Sequence, residues 1–188
     1  MEMREFYTEW NRRYWLESQA ADRLAVLRDG RLDELLELAK LGPILPCRGK
    51  RPLTRHGVKE ASSDRAQIER WQREYPAANF ALATGRVTVV DIDGHEGALS
   101  LRRLEREIGE LPETLTVETG RGRHLYFASS KPLRCSVGKL GPGLDTRGAG
   151  GYVIAPPSVH PQTDEPYEYV DRNARIAPLP TALARRLG

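Results

Sequence analysis

At 188 residues the chain is long enough to bury a full core, as one domain or as one domain with a small appendage. Two cysteines exclude a disulfide-built scaffold, and the lack of a long apolar run excludes a membrane-spanning helix. The net charge of +3 is too small to announce a nucleic-acid partner, but it is unevenly spread: residues 1–40 carry seven Lys/Arg against nine Asp/Glu, which leaves +5 for residues 41–188. Glu2, Arg4, Glu5 and Glu9 make the start unlike an export signal, so a reducing cytoplasm is the expected setting. The 24 arginines against 5 lysines follow most simply from GC-rich coding, which would fit a bacterial phage or prophage.

Apolar spacing predicts helix over residues 4–39, with Leu24, Leu27, Leu35 and Leu38 as its buried positions and a break at Asp29-Gly30. Trp10 and Trp15 are expected to pack this segment onto the main body. Residues 1–40 thus read as a helical N-terminal extension, and 41–188 as the main domain. Ile44-Leu45 reads as a strand. A helix starts at Asp64, where Asp64-x-x-Gln67 matches a capping box and Ile68, Trp71 and Tyr75 share one face. β-Branched and alternating runs predict strands over 79–83, 87–92, 114–118, 123–128, 144–147, 151–155 and 167–170. A helix over 97–109 turns Leu101, Leu104 and Ile108 inward and Arg102, Arg103 and Arg106 outward. Pro178 opens a short last helix. This order defines a sheet-centred α/β (α+β) domain with helices on one side.

Chemistry concentrates in three segments. Val89-Val90 runs as a buried strand into Asp91-Ile92-Asp93-Gly94. Strand residues two apart project from one face, so Asp91 and Asp93 stand together while Ile92 turns into the core. Two close carboxylates repel, and one takes up a proton unless a cation sits between them. Hard divalent ions such as magnesium or manganese suit an all-oxygen pair. The alternative is a turn at Asp93-Gly94 with Asp91 paired to an arginine. A calcium loop is excluded, because His95 and Glu96 stand where a third ligand and the turn glycine belong.

In the second segment, Leu115-Thr116-Val117-Glu118 and His124-Leu125-Tyr126-Phe127 form a hairpin around Gly120 and Gly122. Those glycines let backbone amides approach phosphate oxygens, and Arg121 and Arg123 add charge. Judged by residue type alone, His124 is more often a structural hydrogen-bonding group, and the loop lacks the Gly-Lys-Ser/Thr of a Walker motif. In the third segment Asp145 sits in a glycine-rich stretch, where a turn residue is the ordinary role. The strand Tyr152-Val153-Ile154-Ala155 then stops at Pro156-Pro157-Ser158-Val159-His160-Pro161, a rigid loop leaving the sheet. Between residues 119 and 150 six basic residues surround a single acid, Asp145. That suits a site handling phosphate and metal; a solvated basic face is the alternative.

The serial order of these segments resembles the primase–polymerase domain of the archaeo-eukaryotic primase superfamily, and within it the bifunctional primase/polymerase domain of plasmids, phages and other mobile elements. The Asp-x-Asp strand end, the glycine-rich turn into Arg123-His124-Leu125-Tyr126-Phe127, and Leu144-Asp145-Thr146-Arg147-Gly148 leading to Gly150-Gly151-Tyr152-Val153-Ile154-Ala155-Pro156-Pro157-Ser158 carry the resemblance. Ile44-Leu45-Pro46, Gly49-Lys50-Arg51-Pro52 and residues 79–85 extend it, so that it spans residues 41–171. It implies an RRM-like catalytic half joined to an N-terminal α/β half, and a template-directed nucleotidyltransferase acting as DNA primase and DNA polymerase. It further implies that Asp91, Asp93 and Asp145 hold two magnesium or manganese ions, and that His124, with Arg123 and Lys50, holds the β- and γ-phosphates. Arg147 would meet phosphate, and Ser158 and His160 would line the nucleotide pocket; Lys50 as a plain surface lysine and the 156–161 loop as a structural element stay open.

The implied partners are a single-stranded DNA template, a primer and nucleoside triphosphates, with a helicase encoded separately or downstream, and no membrane. Gly122 stands where much of the superfamily has serine. Cys47 and Cys135 are too few for a zinc site unless histidines complete it, so no zinc is expected, and primer extension is implied more firmly than initiation. The competing readings are another Asp-x-Asp metal-dependent enzyme, a nuclease or a nucleotide-sugar transferase, and a catalytically silent nucleic-acid-binding module. The presence of all three carboxylates argues against the last.

Overall fold

A computed structural model of the chain describes residues 30–188. The readings of Trp10, Trp15, Leu24 and Leu27 lie outside the described residues. Helix α1 covers residues 30–41, and Gly30, expected at a break, is already helical. Strand β1 (Ile44–Arg48) turns through Gly49 and Lys50 into the short β2 (Arg51–Pro52), and a 3-10 turn (Gly57–Glu60) leads to α2 (Arg65–Glu74). Then come β3 (Asn79–Ala83), β4 (Val87–Asp93), α3 (Gly94–Ile108), β5 (Thr116–Glu118), β6 (Gly122–Ala128), β7 (Leu144–Arg147), β8 (Tyr152–Ala155), β9 (Glu168–Tyr169), β10 (Ala177–Pro178) and α4 (Thr181–Leu187).

The α/β class holds, and the strands form two sheets, as the expected RRM-like and N-terminal α/β halves require. The first has the order β2-β1-β3-β8 and the second the order β7-β4-β6-β5-β9, both antiparallel. The exception is β10, which pairs in parallel with the end of β6. Because β4 and β5 both run antiparallel to β6, they are parallel to each other, and α3 is the crossover between them. The order β7-β4-β6-β5 with this crossover is an RRM-like arrangement. The first sheet, with α1 and α2, forms the N-terminal α/β half, and the chain enters it again at β8, which pairs with β3.

Alternation along β4 divides the interior. Val90 and Ile92 turn to one side, where they meet Phe127, Leu144, Leu104 of α3 and Leu183 and Leu187 of α4. Val87 and Val89 turn to the other side, into a core shared with Tyr126, Val117, Leu45, Phe80, Ile154, Ile68, Leu35 and Leu38. Residues 30–40 therefore contribute to this core through Leu35 and Leu38, which are 0% and 1% exposed. Farther along that second face the apolar residues give way to Asp91 and Asp93.

Local details shift several expected boundaries. Asp64 caps α2 by accepting from the Gln67 backbone N–H at 2.9 Å, but the return bond of a capping box is replaced by Ser62, whose Oγ accepts from the Asp64 N–H at 3.0 Å. Helix α3 begins at Gly94, three residues earlier than the spacing predicts, because Gly94 at φ +60° turns β4 directly into the helix. Helix α4 begins at Thr181 because Ala177 and Pro178 are taken by β10.

Gly122 explains itself sterically. A Cβ there would collide with the backbone carbonyl of Ile92 on the neighbouring strand. Gly122→Ala is expected to destabilise the fold by about 1–3 kcal/mol, the usual range for forced overpacking. Urea denaturation checks this, and an unchanged midpoint would show that the two strands separate there without cost.

Candidate active site

The pairing of β4 on both of its edges assembles the polar face. Asp91 lies directly opposite Asp145 on β7 and directly opposite His124 on β6, so three functional side chains form one row across three strands. Asp93 follows two residues on, opposite Gly122, and Arg147 two residues after Asp145, opposite Val89. The row opens into a cleft of roughly 300 Å³ where the two sheets meet. Lys50 enters from the β1–β2 turn, Tyr152, Val153 and Ile154 from β8, and Thr119, Cys135 and Tyr167 from loops.

Charges in the row are matched unevenly. His124 Nε2 stands 3.4 Å from Asp91 Oδ1, and Arg147 Nη2 lies 3.7 Å from Asp91 Oδ2 and donates to Asp145 Oδ2 at 2.9 Å. The Gly138 N–H donates to the other Asp145 oxygen at 3.0 Å. Burial alone would push the Asp91 carboxyl upward, but the His124 hydrogen bond and the charges on His124, Arg147 and Lys50 hold it below the usual aspartate value. Asp93 makes no side-chain hydrogen bond or ion pair among the described residues. Partial burial, with Asp91 and Asp145 as like-charged neighbours, raises its carboxyl against the opposing pull of Lys50 and His124. Tyr167 is 3% exposed, its ring lies 5.9 Å from the rings of both His124 and His160, and burial beside Asp91 and Asp93 pushes its hydroxyl up to about 12.

Of the nine residues singled out in the sequence, Lys50, Asp91, Asp93, His124 and Arg147 line the cleft, and Asp145 joins it through Arg147 and its place opposite Asp91. Arg123 does not. It neighbours His124 on β6 and so faces the opposite side of the sheet, where its guanidinium meets Glu118 at 3.2 Å. Ser158 does not line the cleft either. Its buried hydroxyl accepts from the Phe80 N–H at 2.9 Å and donates to the Phe80 carbonyl at 3.2 Å, clamping the proline loop to β3. His160 is 1% exposed behind Tyr167, with Nδ1 facing Thr163 Oγ1 at 3.2 Å, and burial with Lys50 and Arg121 lowers its pKa. Tyr167, Thr119, Tyr152 and Cys135 are cleft residues that sequence reasoning missed. Only the alternation of the strand expected over 167–170 hinted at Tyr167.

The donor set fits hard divalent cations in kind. Asp91 and Asp93 present carboxylate oxygens on one face, and partial burial together with the like charges of Asp91 and Asp145 raises the Asp93 carboxyl, a cost that a cation would relieve. As the side chains stand, no three His, Cys, Asp or Glu groups among the described residues are grouped to hold an ion, and Asp145 is engaged by Arg147 and the Gly138 N–H.

The family model described as the N-terminal domain of bifunctional DNA primase/polymerase matches residues 35–182. The chain belongs to this family of DNA primase/polymerase-type nucleotidyltransferases. That family membership implies DNA and nucleotides as substrates. No curated protein matches the chain. Among the described residues no helix is long and apolar enough to cross a membrane.

Two titrations of opposite sign follow. The lowered Asp91 contributes stability that is present above the ordinary value of 3.8 and lost as pH falls through its lower folded value. The raised Asp93 works the other way, since its charged form costs stability above its folded pKa. Asp93→Asn is therefore expected to raise the melting temperature at pH 7 without divalent ions, and to lose that advantage near pH 3. Thermal melts across pH check this; a variant less stable than wild type at pH 7 would contradict the crowding.

Proposed function

We propose that the chain is a template-directed nucleotidyltransferase that adds nucleotides to a DNA primer or starts one, with its reaction centre on the Asp145–Asp91–His124 row. The observation that carries this is the register: β4 brings two carboxylates of its own beside one from β7, next to Lys50, Arg147 and His124. In this reading Asp91, Asp93 and Asp145 are the ligands of two magnesium or manganese ions, and no zinc takes part. Bound there, such ions lower the pKa of the primer 3′-hydroxyl and stabilise the leaving pyrophosphate.

The chain's own groups do the positioning. Lys50, His124 and Arg147 are the N–H donors that face the cleft, and they would meet triphosphate oxygens through charge-assisted hydrogen bonds. Tyr167 and Tyr152 offer flat or polar walls to the nucleotide. The structure supports a supporting role for Ser158 and His160 in holding the loop behind Tyr167, rather than nucleotide contact. Arg123, paired with Glu118 on the far side, takes no part in the triphosphate site of this proposal. The reading carries with it a cytoplasmic setting and a helicase, encoded separately or downstream, that opens the template. A phage, prophage or other mobile element is the genomic setting that goes with it.

The Asp91→Ala, Asp93→Ala double variant is expected to lose primer extension by about 1000-fold or more, since metal charge stabilisation is worth several kcal/mol, while keeping its fold. Incorporation of labelled nucleotide on a primed single-stranded template checks this, and full activity in a folded double variant would sink the assignment. The same assay separates a polymerase from a nuclease or a sugar transferase.

His124→Ala is expected to weaken triphosphate binding by about 10- to 150-fold, the equivalent of losing a hydrogen bond to a charged group worth roughly 1.5–3 kcal/mol. Template affinity should move less. Fluorescence titrations with nucleotide and with single-stranded DNA compare the two; an unchanged nucleotide dissociation constant would leave His124 as a positioning residue for Asp91.

A further inference from the structure

Outside the cleft a run of positive charge without acidic partners among the described residues lies on the β1–β2 hairpin. Arg48 and Arg51 are direct cross-strand partners on either side of the Gly49-Lys50 turn. Like charges placed opposite one another destabilise a hairpin. Both side chains are exposed, and neither makes a hydrogen bond or an ion pair with any described residue. Arg55 and Lys59 follow, also exposed, so that residues 48–59 hold five Lys/Arg and no Asp/Glu. The first acid, Glu60, is already engaged by the Arg55 N–H at 3.0 Å and faces His56 at 3.7 Å.

This repulsion is held in place rather than relaxed. The Gly49 carbonyl accepts from Asn79 Nδ2 at 3.1 Å, and the same amide donates to the Val159 carbonyl at 2.7 Å and accepts from the Val159 N–H at 3.0 Å. The Lys50 carbonyl accepts from the Tyr152 hydroxyl at 3.1 Å. Gly49 sits at φ +58° with Pro161 3.3 Å from where a Cβ would be, so the tip has little room to move. The same rigid tip thus carries Lys50 into the cleft and, on the outside, two arginines without a partner among the described residues. A polyanion running past the tip toward the cleft is the ligand that this arrangement fits, and phosphates in series satisfy it without any base-specific group.

We propose that the β1–β2 hairpin is the landing site of the single-stranded DNA template, with Arg48 and Arg51 holding its backbone phosphates just outside the cleft. The proposal rests on the polymerase reading and deepens it by naming the template-binding surface.

The test is fluorescence anisotropy with a labelled oligothymidylate across a sodium chloride series. It compares wild type, the Arg48→Gln, Arg51→Gln double variant, and a control double variant, Arg103→Gln, Arg185→Gln. The control makes the same charge change on α3 and α4, the helices that cover the far face of the second sheet. Two lost phosphate contacts should reduce the slope of log affinity against log salt by about 1.4 and weaken binding about 25-fold at 0.1 M salt. The control should stay within about twofold of wild type, triphosphate affinity without DNA should be unchanged, and the melting temperature of the hairpin variant should not fall. An unchanged salt slope in the hairpin variant overturns the proposal, as does an equal loss in the control, which would reduce the effect to net charge. An equal loss of triphosphate affinity also overturns it, by assigning the arginines to the nucleotide. If wild type binds the oligonucleotide and the hairpin variant matches it, only this proposal falls. If wild type shows no salt-sensitive binding at all, the polymerase reading falls with it.

Discussion

Asp91 meets Asp145 on one side and His124 on the other because β4 is paired along both edges in a fixed register. That register is held from the opposite face. Val90 stands across from Leu125 and Thr146, and Ile92 across from Leu144, with α3 and α4 closing over them. A slip of one residue on either edge would carry the apolar set into the cleft and the polar row into the core. The far core and the near row are therefore one constraint seen from two sides. Gly122 and Gly97 allow the close backbone approaches at the end of this strand, where a Cβ would strike the carbonyls of Ile92 and Gly143.

The row concentrates charge where water is scarce. Arg147 and His124 compensate Asp91 and Asp145, while Asp93, the carboxylate nearest the surface, keeps no direct partner among the described residues. Behind the row, the Tyr126 hydroxyl and His124 Nδ1 are buried without a hydrogen-bond partner among the described residues; burial from water strengthens electrostatic interactions in the row in front of them. The cleft thus combines one unmatched acid, one lysine held on a rigid turn and an arginine shared between two carboxylates.

Much of this was legible in the chain, for local reasons. Asp91 and Asp93 share a face because strand residues alternate, and β3 and β7 begin and end where their composition predicts. The motif order pointed to the family that the match over residues 35–182 shows. What escaped depends on partners distant in sequence. Ser158 clamps Phe80, 78 residues away, and no local pattern marks that bond. That β8 leaves its neighbour in sequence, β7, to pair with β3 is not encoded in strand propensity. Tyr167 reaches the cleft only because the loop after β8, which carries His160, folds back over His124. Arg123 was misplaced for a simpler reason: the alternation that put Asp91 and Asp93 together also puts Arg123 and His124 apart.

In the proposed function the carboxylates carried on and beside β4 form a cation site. Manganese titrated into the protein and followed by the electron paramagnetic resonance signal of the free ion tests this most directly. Wild type is expected to remove manganese from the free pool, and Asp91→Asn, Asp93→Asn, still folded, to leave it there. Equal uptake by the wild type and the double variant, or no uptake by either, would contradict the account.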